Sequence, residues 1–422
     1  MWGQFIDDAK TIIHDITEET VNEIDEQMEI NKKKTEYKEK GVKLQIHQKN
    51  AKKEINALHG KLNIKRTKLY SKKDKVNCIP KDEYLEIHKL PFKMTIPAMN
   101  TVAFIGQNEI SFNAGSEMLK NFLGIETCKN QVRLITEYVG KAVYENDTKR
   151  AEEQEKNLVK IDMLKNRTGL ILYIMIDGAA INTRIEDVNG FTWRECKSAI
   201  AFKNKDLIKR KDGSQIILQK ECVSLVGSAE ELRKYLLLIA VMKGYGKAEQ
   251  TVVVSDGATW IRNICKELFP DATQILDLFH LKENIYTYAK SLFSDENEYT
   301  KYAKTIINYI EMGEKEKALK KISKDEKKKE DGVVNLKTYI ENNYDKIDYP
   351  EYWRKGYFVG YGAMESANKV LVQRILKQAG MRWSVEESQH IVSLRAKFES
   401  RKWESVESDI IAKVEEDYQT KL

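Results

Sequence analysis

The chain has 422 residues, of which 41% are hydrophobic and 32% charged, so it can bury one large core or two to three smaller ones. This composition argues against a disordered chain. Its 71 Lys and Arg against 65 Asp and Glu leave a net charge of +6, which favours anionic partners only where the basic residues cluster.

The sequence carries no signal for export or membrane insertion. Residues 1–8 contain acids where a signal peptide needs positive charge, and apolar runs such as 236–242 are far shorter than a membrane span. The five cysteines are scattered without a C-x-x-C pair, which indicates reduced thiols rather than a zinc ribbon or a disulfide framework. We therefore expect a cytoplasmic protein with no membrane partner.

Residues 1–109 predict a mainly helical and basic region. Apolar side chains recur at three- and four-residue steps over residues 5–28, as in an amphipathic helix that packs on a neighbour. The stripe consists of Ile6, Ala9, Ile13, Ile16, Thr20 and Ile24. Basic residues dominate from 32 to 75, and segments 42–46 and 62–64 alternate as strands do. The basic run is interpreted either as a solvated face or as a β-ribbon that contacts phosphates.

Residues 110–160 predict a helix-turn-helix whose second helix continues through a charged segment over 145–160 as a linker helix. A first helix covers 111–122, a turn contains Gly124, and Thr127 caps a second helix. The first turns of the second helix carry side chains of the types that read base edges in the major groove. They are Lys129, Asn130, Gln131 and Arg133. Two helices joined by a glycine turn are also an ordinary packing motif, so both interpretations stay open.

A sheet begins after this linker. The apolar run 170–176 predicts a strand buried on both faces, with Asp177 at its carboxyl end. Two further strands are predicted over 194–202 and 214–225, with an Asp212-Gly213 hairpin signal between them.

The following segments alternate helix and strand. A capping box from Ser228 to Glu231 opens a helix, and the Val252-Val253-Val254 strand places Asp256 at its carboxyl end. A second strand leads to Asp277 and His280. Three strands followed by helix, strand, helix, strand and helix predict an α/β domain of the RNase H-like type, a mixed sheet with helices on both faces.

A helical insertion over about 281–355 precedes the last acidic candidate. After it, Glu365 lies in the first turn of a helix that we expect to end at Gly380, and a second capping box begins at Ser384. We assign residues 161–405 to the catalytic domain. Residues 406–422 are expected to form a C-terminal tail.

Asp177, Asp256 and Glu365 are the kind of ligands that a two-metal phosphoryl-transfer site needs, because Mg²⁺ and Mn²⁺ prefer carboxylate oxygens. Each acid also has a structural interpretation, as a strand-ending turn for the two Asp-Gly pairs and as a partner of the helix dipole for Glu365. Asp277 also fits a helix N-cap, and His280 also fits a structural histidine. The three acids taken together favour the metal site over coincidence.

Three segments carry a resemblance to a known family. They are YIMIDGAAINTR, VVVSDGATWIRNICKELFPDATQILDLFHLKENI and YGAMESANKVLVQRILKQAGMRWS. They resemble the catalytic blocks of bacterial insertion-sequence DDE transposases of the ISKra and ISLre groups, which are similar in turn to Mutator-like transposases. The resemblance covers residues 110–405 and extends to the order of the blocks and the positions of the acids.

The resemblance implies an RNase H-like fold in which Asp177, Asp256 and Glu365 bind two divalent metal ions, with Asp277 and His280 in a supporting role. We expect a transposase that cleaves element ends and joins the freed 3′-hydroxyls to target DNA, acting as a homo-oligomer on DNA in the nucleoid. Further DNA contacts are expected near the site, from Arg374, Lys377, Arg382 and Trp383. Trp383 fits a position in the core equally well. Two other functions remain open: an RNase H-like nuclease without strand transfer, and a transposase-derived DNA-binding protein without catalysis.

Overall fold

The structure is a computed structural model that forms two compact units. The first consists of Met1–Tyr144 and Glu404–Leu422, and the second of Glu145–Trp403. The residues described are 2–157, 169–186, 190–211, 215–324, 335–360, 362–378 and 381–421, with the backbone alone for 2–10. Among the helices in these ranges, no segment combines the length and hydropathy needed to cross a bilayer.

The first unit begins with helices and a small antiparallel sheet. Its elements are α1 (Trp2–Glu23), α2 (Glu26–Glu39), β1 (Gln45–Ala57), β2 (Gly60–Ser71), β3 (Val76–Cys78) and α3 (Pro80–Tyr84). The strands pair in chain order, and Ile55, Leu62 and Ile64 form a buried cluster on one side of the β1–β2 hairpin. The region expected to be mainly helical therefore also contains a three-stranded sheet. Of the alternating segments, 62–64 lies within β2 as the β-ribbon interpretation predicts, whereas only the last two residues of 42–46 belong to β1.

Helix α1 differs from its prediction in the face that it buries. Two members of the predicted apolar stripe, Ile13 and Ile16, are 46% and 58% exposed. The helix instead contacts β2 through polar side chains, because Glu18 Oε2 accepts a hydrogen bond from Asn63 N at 2.8 Å and Asn22 Oδ1 accepts one from Lys65 N at 2.8 Å. These acceptors pair backbone N–H groups of β2, and the apolar contact of α1 with the sheet is made by Val21, which lies outside the predicted stripe.

Part of the basic run is neutralised inside the first unit. Asp82, which is buried, forms ion pairs with Lys53 at 3.2 Å and with Arg66. Lys52 and Lys65, which face each other across the hairpin, remain exposed. The run is thus divided between internal ion pairs and a solvated basic face.

The two helices predicted on either side of a glycine turn are present, but the predicted cap is wrong, because the second helix begins at Lys129 and the Thr127 hydroxyl has no hydrogen-bond partner in the described ranges. The two helices follow α4 (Ile96–Asn108) and are α5 (Phe112–Met118), which continues into a π-helical turn, and α6 (Lys129–Lys156). Ser111 caps α5 by accepting a hydrogen bond from Ala114 N, and Gly124 ends the π-turn with a φ of 68°. A left-handed φ of this kind is the reason that glycine suits this position.

Helix α6 extends into the second unit, where the charged segment was expected to be a linker. Within that unit it packs on a helix, α7 (Ala229–Met242), which follows the strands described below. Ala151 is fully buried, Thr148 and Tyr235 join their hydroxyls at 2.6 Å, and Lys234 pairs with Glu152 at 2.8 Å. The predicted continuation of the helix through this segment is confirmed up to Lys156, and the segment packs on α7 as well as linking the preceding helices to the sheet.

The second unit is built on a five-stranded mixed sheet. Its strands and intervening helices are β4 (Ile171–Asn182), β5 (Trp193–Lys203), β6 (Leu207–Lys209), β7 (Gln215–Ile217), β8 (Glu221–Val226), α7, β9 (Gln250–Ser255), α8 (Thr259–Leu268), β10 (Thr273–Leu276) and α9 (Leu278–Leu292). The strand order is β10-β9-β4-β5-β8, and β5 is antiparallel to its two neighbours while β4, β9 and β10 are parallel.

Both faces of this sheet are covered. The five consecutive residues 172–176 of β4 are all buried, and successive side chains of a strand point to opposite faces. Helix α7 packs on β5 and β8, and both of its predicted capping-box hydrogen bonds, between Ser228 and Glu231, are present. The mixed α/β class predicted from the element order is confirmed.

Two strand boundaries differ from the prediction. Strand β4 does not end at Asp177 but runs on to Asn182, because these residues continue to pair with β5 after the pairing with β9 has stopped. The strand predicted over 214–225 is two strands, β7 and β8, and β7 pairs with β6 as a separate hairpin. Asp212-Gly213, the predicted turn, lies outside the described residues.

Helices fill the predicted insertion and the segment after it. They are α10 (Glu296–Glu311), α11 (Lys315–Lys324), α12 (Leu336–Asn342), α13 (Tyr349–Arg354), α14 (Ala363–Asn368), α15 (Arg374–Leu376) and α16 (Val385–Glu399). Tyr302, Ile306 and Ile310 are buried in α10. A π-helical turn joins α14 to α15, Gly380 lies outside the described residues, and the Ser384 capping box opens α16 as predicted.

The extension of β4 beyond Asp177 is attached to the chain that follows α15. Trp383 N donates a hydrogen bond to Asn182 O at 3.3 Å, and Arg184 N donates one to Trp383 O at 2.8 Å. The Arg184 side chain adds a hydrogen bond to Arg382 O at 3.0 Å and an ion pair with Glu387 at 3.2 Å. These contacts hold the segment after α15 against the first strand of the sheet.

Residues 406–422, expected as a tail, form a helix, α17 (Val406–Gln419), that belongs to the first unit. Ile410 and Val414 are buried, Tyr138 donates a hydrogen bond to Asp417 Oδ2 at 3.0 Å, and Lys89 pairs with Glu415 at 2.8 Å. Alternation of apolar and charged residues in this segment reflects one buried helical face.

Candidate active site

Asp177 and Asp256 come to neighbouring positions at one edge of the parallel part of the sheet. The register of β4 and β9 ends with Ile176 opposite Ser255, and each acid is the next residue along its own chain. The predicted position of Asp256 directly after its strand is confirmed. The negative charge of Asp256 contributes to a raised pKa of Asp177, after burial as the main cause.

The Asp177 carboxylate is enclosed by polar groups. Asn368 Nδ2 donates a hydrogen bond to Oδ2 at 2.7 Å, Gly178 N donates one to Oδ1 at 2.8 Å, and His280 Nε2 lies 3.9 Å from Oδ2. Burial is the main cause of a raised Asp177 pKa, and the hydrogen bonds and His280 oppose it. The charged form of Asp177 therefore depends on its neighbours.

Asp256 occupies a turn that also presents a carboxylate. Its Oδ1 accepts a hydrogen bond from Ala258 N at 2.9 Å, which is the side-chain-to-backbone contact of an Asx turn. Tyr339 donates its hydroxyl to Asp256 O at 2.9 Å, and burial raises the pKa of that hydroxyl above its usual range. The turn interpretation is thus confirmed for Asp256, and its second carboxylate oxygen is not used by the turn.

Asp277 caps α9 from the end of β10. Its Oδ1 accepts a hydrogen bond from Phe279 N at 2.8 Å, which confirms the N-cap interpretation. The side chain is only 2% exposed, and burial raises its pKa to about 6 although the nearby His280 opposes the shift. Gly360 lies so close that a Cβ there would come within 2.3 Å of Asp277 Oδ1.

His280 bridges two acidic groups. Its Nε2 lies 3.9 Å from Asp177 Oδ2, and its Nδ1 lies 3.7 Å from Glu283 Oε2. The Asp277 cap fixes the first turn of α9, which carries His280. Asp277 and His280 are therefore brought to the same sheet edge as Asp177, and the contact of His280 is with this first Asp.

Glu365 and Asn368 lie one turn apart on α14. Glu365 is exposed in the first turn, whereas Asn368 is 2% exposed and binds Asp177. Residues three apart share a helix face, so Glu365 projects from the face that carries the Asp177 contact. Asn368 Oδ1 is buried and finds no hydrogen-bond partner in the described part of the chain. Sequence analysis missed Asn368, although its spacing from Glu365 was visible.

The grouping of acids is incomplete as a metal site. Within the described ranges, no three His, Cys, Asp or Glu side chains are grouped so that they could hold a metal ion. Asp177 and Asp256 are adjacent, whereas Glu365 points from an exposed position beside Gly362, whose φ is 76°.

The predicted DNA contacts fall into two groups, one in each unit. At the start of α6, Lys129, Asn130 and Gln131 are exposed, and Gln131 Oε1 accepts a hydrogen bond from Cys128 N. Arg133, in the same group, is half-buried and forms an ion pair with Glu137 at 2.9 Å. This pair offsets the positive charge that Arg133 was expected to present.

The second group lies around α15. Arg374, Lys377 and Arg382 are exposed there. Trp383 is 7% exposed and donates its indole N–H to Leu376 O at 3.3 Å, so the core alternative is correct and its assignment as a DNA contact is withdrawn. A buried Trp whose N–H is satisfied has no group left for a nucleic acid.

The chain is a mixed α/β protein in which Asp177 and Asp256 lie side by side where the parallel pairing of β4 and β9 ends. Asp277, His280 and Asn368 surround them at this edge of the sheet. The chain belongs to the uncharacterised protein family UPF0236, whose family model matches residues 3–409. No match was found among the curated proteins.

The charge on Asp277 is expected to reduce stability at neutral pH. Since the folded state raises its pKa from 3.8 to about 6, the folded protein binds this proton more tightly than the unfolded chain. Stability therefore falls as pH rises from about 4 to about 6. Asp277→Asn keeps the N-cap acceptor and should raise the free energy of unfolding at pH 7.5 by about 2 kcal/mol.

Urea unfolding with a chelator present, at pH 7.5 and at pH 4, measures this effect. The gain of the Asp277→Asn variant over the wild type should vanish at pH 4, where the wild-type carboxyl is protonated. An equal difference at both pH values would show that the charge on Asp277 is not its cause.

Proposed function

We propose that this protein is a DNA transposase with an RNase H-like catalytic domain that cleaves the ends of a mobile element and transfers the freed 3′-hydroxyls to target DNA. The observation that carries the proposal is the Asp177 carboxylate, which lies beside Asp256 and accepts a hydrogen bond from Asn368 on the helix that bears Glu365. The strand order, with the second strand of the sheet antiparallel to its neighbours, supports the RNase H-like assignment.

Asp177, Asp256 and Glu365 would hold two divalent ions, Mg²⁺ or Mn²⁺. The donor chemistry fits, because carboxylate oxygens are the ligands these ions prefer and the free Asn368 Oδ1 adds another hard oxygen beside them. The Asp177 carboxylate is also destabilised by burial and by Asp256, a cost that a cation offsets. When bound, such ions lower the pKa of an attacking water or 3′-hydroxyl and stabilise the leaving oxygen.

The remaining residues of the edge position these acids. Asn368 orients Asp177 by donating to Oδ2, and the Asx turn orients Asp256. His280, whose Nε2 is 3.9 Å from Asp177, opposes the rise in the Asp177 pKa and so favours its charged form. Asp277 fixes the start of α9 and thereby the position of His280.

DNA would be bound by two sets of exposed residues. Lys129, Asn130 and Gln131 lie at the start of α6, where a recognition helix presents its base contacts. Arg374, Lys377 and Arg382 follow the helix that bears Glu365 and would contact phosphates. We propose a homo-oligomer on DNA in the cytoplasm, since transposition requires two ends to be held together.

A strand-transfer assay with a labelled, precut element end and a target plasmid in Mg²⁺ tests this function. A transposase joins the labelled 3′-hydroxyl to the target. Cleavage without joining would instead identify an RNase H-like nuclease, and DNA binding without metal-dependent cleavage would identify a non-catalytic DNA-binding protein.

Removal of the Asn368 amide should weaken cleavage through Asp177. Asn368→Ala removes the hydrogen bond that favours the charged carboxylate, so the Asp177 pKa should rise and the acidic limb of the pH–rate profile should move to higher pH. We expect a loss of about tenfold or more at pH 7, as is typical of residues that orient metal ligands. The measurement is the cleavage rate from pH 6 to 9.

Ser366→Ala, an exposed change on the same helix, is the matched control and should leave both the rate and the profile unchanged. A lower rate for Asn368→Ala with an unshifted profile would assign Asn368 to packing rather than to the charge state of Asp177.

A further inference from the structure

The second unit contains a polar cavity that is lined by none of the acidic residues of the sheet edge. It has a volume of about 340 Å³, within the range of small-ligand sites, and lies between α8, the start of β10 and the segment from Asn342 to Tyr352. Its charged lining residues are Arg262, Lys266 and Lys346 against a single acid, Asp345. The cavity therefore has a net positive lining.

Lys346 is the least solvated of these cations. It is 5% exposed, and its ammonium makes one long hydrogen bond, 3.4 Å to Asn343 Oδ1. Among the described residues, no carboxylate lies within ion-pair distance of this ammonium. Burial is the main cause of a lowered Lys346 pKa, and the charge of Arg262 lowers it further. A buried ammonium without a counter-ion is costly, and a bound anion would remove that cost.

Arg262 offers an unused hydrogen-bond donor in the same place. Its Nη2 donates to Asn342 O at 2.9 Å, while its Nε is buried and has no partner in the described part of the protein. Lys266 follows one turn later on the same face of α8 and is exposed. A guanidinium, a buried ammonium and a more flexible exposed ammonium together provide the donors by which proteins bind phosphate.

We propose that this cavity is an oxyanion site that binds a phosphate group, either free inorganic phosphate or a phosphate of the nucleic-acid backbone. The planar guanidinium and Gln274, which also lines the cavity, favour a multidentate oxyanion over a halide, whereas the Tyr352 hydroxyl already donates to Asp345 O at 3.2 Å. The site does not depend on the proposed cleavage chemistry, because none of its residues belongs to the acidic sheet edge.

The test is a calorimetric titration of the full chain with inorganic phosphate at constant ionic strength, with chloride as the reference salt. The wild type should bind phosphate saturably with one site. Lys346→Met should weaken binding at least tenfold, whereas Lys304→Met, which removes the same charge from an exposed position of the second unit, should leave it unchanged. Arg262→Gln serves as a second cavity variant and should also weaken binding.

Folding of the variants is checked in phosphate-free buffer. Since Lys346→Met removes a buried charge without a counter-ion, its melting temperature there should equal or exceed that of the wild type. A parallel titration with a short DNA duplex distinguishes the two sources of phosphate. If the cavity variants alone lose DNA affinity tenfold, the site binds a phosphate of the nucleic-acid backbone. Equal affinity of wild type and cavity variants in both arms, or dependence on ionic strength alone, would overturn the proposal.

Discussion

Asp256→Asn should reduce metal-dependent cleavage of element ends by about a thousandfold or more while changing DNA affinity less than twofold. The amide cannot supply the negative charge that a divalent ion requires. It keeps an oxygen that accepts the hydrogen bond from Ala258 N, so the turn after β9 should be preserved. The measurements are the cleavage rate of a labelled end in Mg²⁺ and the binding of the same DNA without metal.

Glu298→Gln is the matched control, because it removes one carboxylate from an exposed position of the same unit, and it should cleave as the wild type does. Near-normal cleavage by Asp256→Asn would reject the assignment of Asp256 as a metal ligand. Loss of both cleavage and folding, seen by circular dichroism, would show that Asp256 acts mainly through its turn.

Gly360→Ala should destabilise the second unit by about 3 kcal/mol, because two costs combine there. Gly360 has a φ of 110°, which an L side chain rarely adopts, and a Cβ would lie 2.3 to 2.5 Å from the buried Asp277 carboxyl group. The carboxyl group cannot move away without losing its hydrogen bond to Phe279 N. Thermal unfolding should show a melting temperature lower by about 6 to 12 °C.

Gly356→Ala separates the two costs. Gly356 also has a positive φ, of 70°, but a Cβ there would have no heavy atom within 4 Å. Its substitution should therefore cost only about 1 kcal/mol. If the two variants were equally stable, the close approach to Asp277 would contribute nothing.

Local sequence signals predicted the elements of the sheet unit well, because each signal is complete within a few residues. The capping boxes at Ser228 and Ser384 and the strand before Asp256 all appear where their patterns placed them. The end of β4 was misplaced because strand length depends on the partner: Asp177 lies where pairing with β9 stops, yet pairing with β5 continues. No pattern within β4 records this difference.

The candidate site was only partly accessible to sequence analysis. The acids stood out by their position after strands, whereas Asn368 and Tyr339 act through contacts that join residues 191 and 83 positions apart in the chain. Trp383 and Ile13 show the same limit. The sequence left Trp383 open to two interpretations, and the structure buries it. The sequence placed Ile13 in a clear apolar stripe, and the structure leaves it exposed. Only the tertiary partners decide which face a helix or an indole buries.

The attachment of the β4 extension to the segment after α15 has a mechanical consequence. The last residue of the helix bearing Glu365, Asn368, is tied to Asp177 of β4, and Trp383, farther along the chain, is tied to Asn182 and Arg184. Both attachments lie on the C-terminal side of this helix, whereas its first turn, which carries Glu365, follows the left-handed Gly362. Adjustment of Glu365 toward the two aspartates would thus be a local rotation of the first helical turn rather than a domain closure.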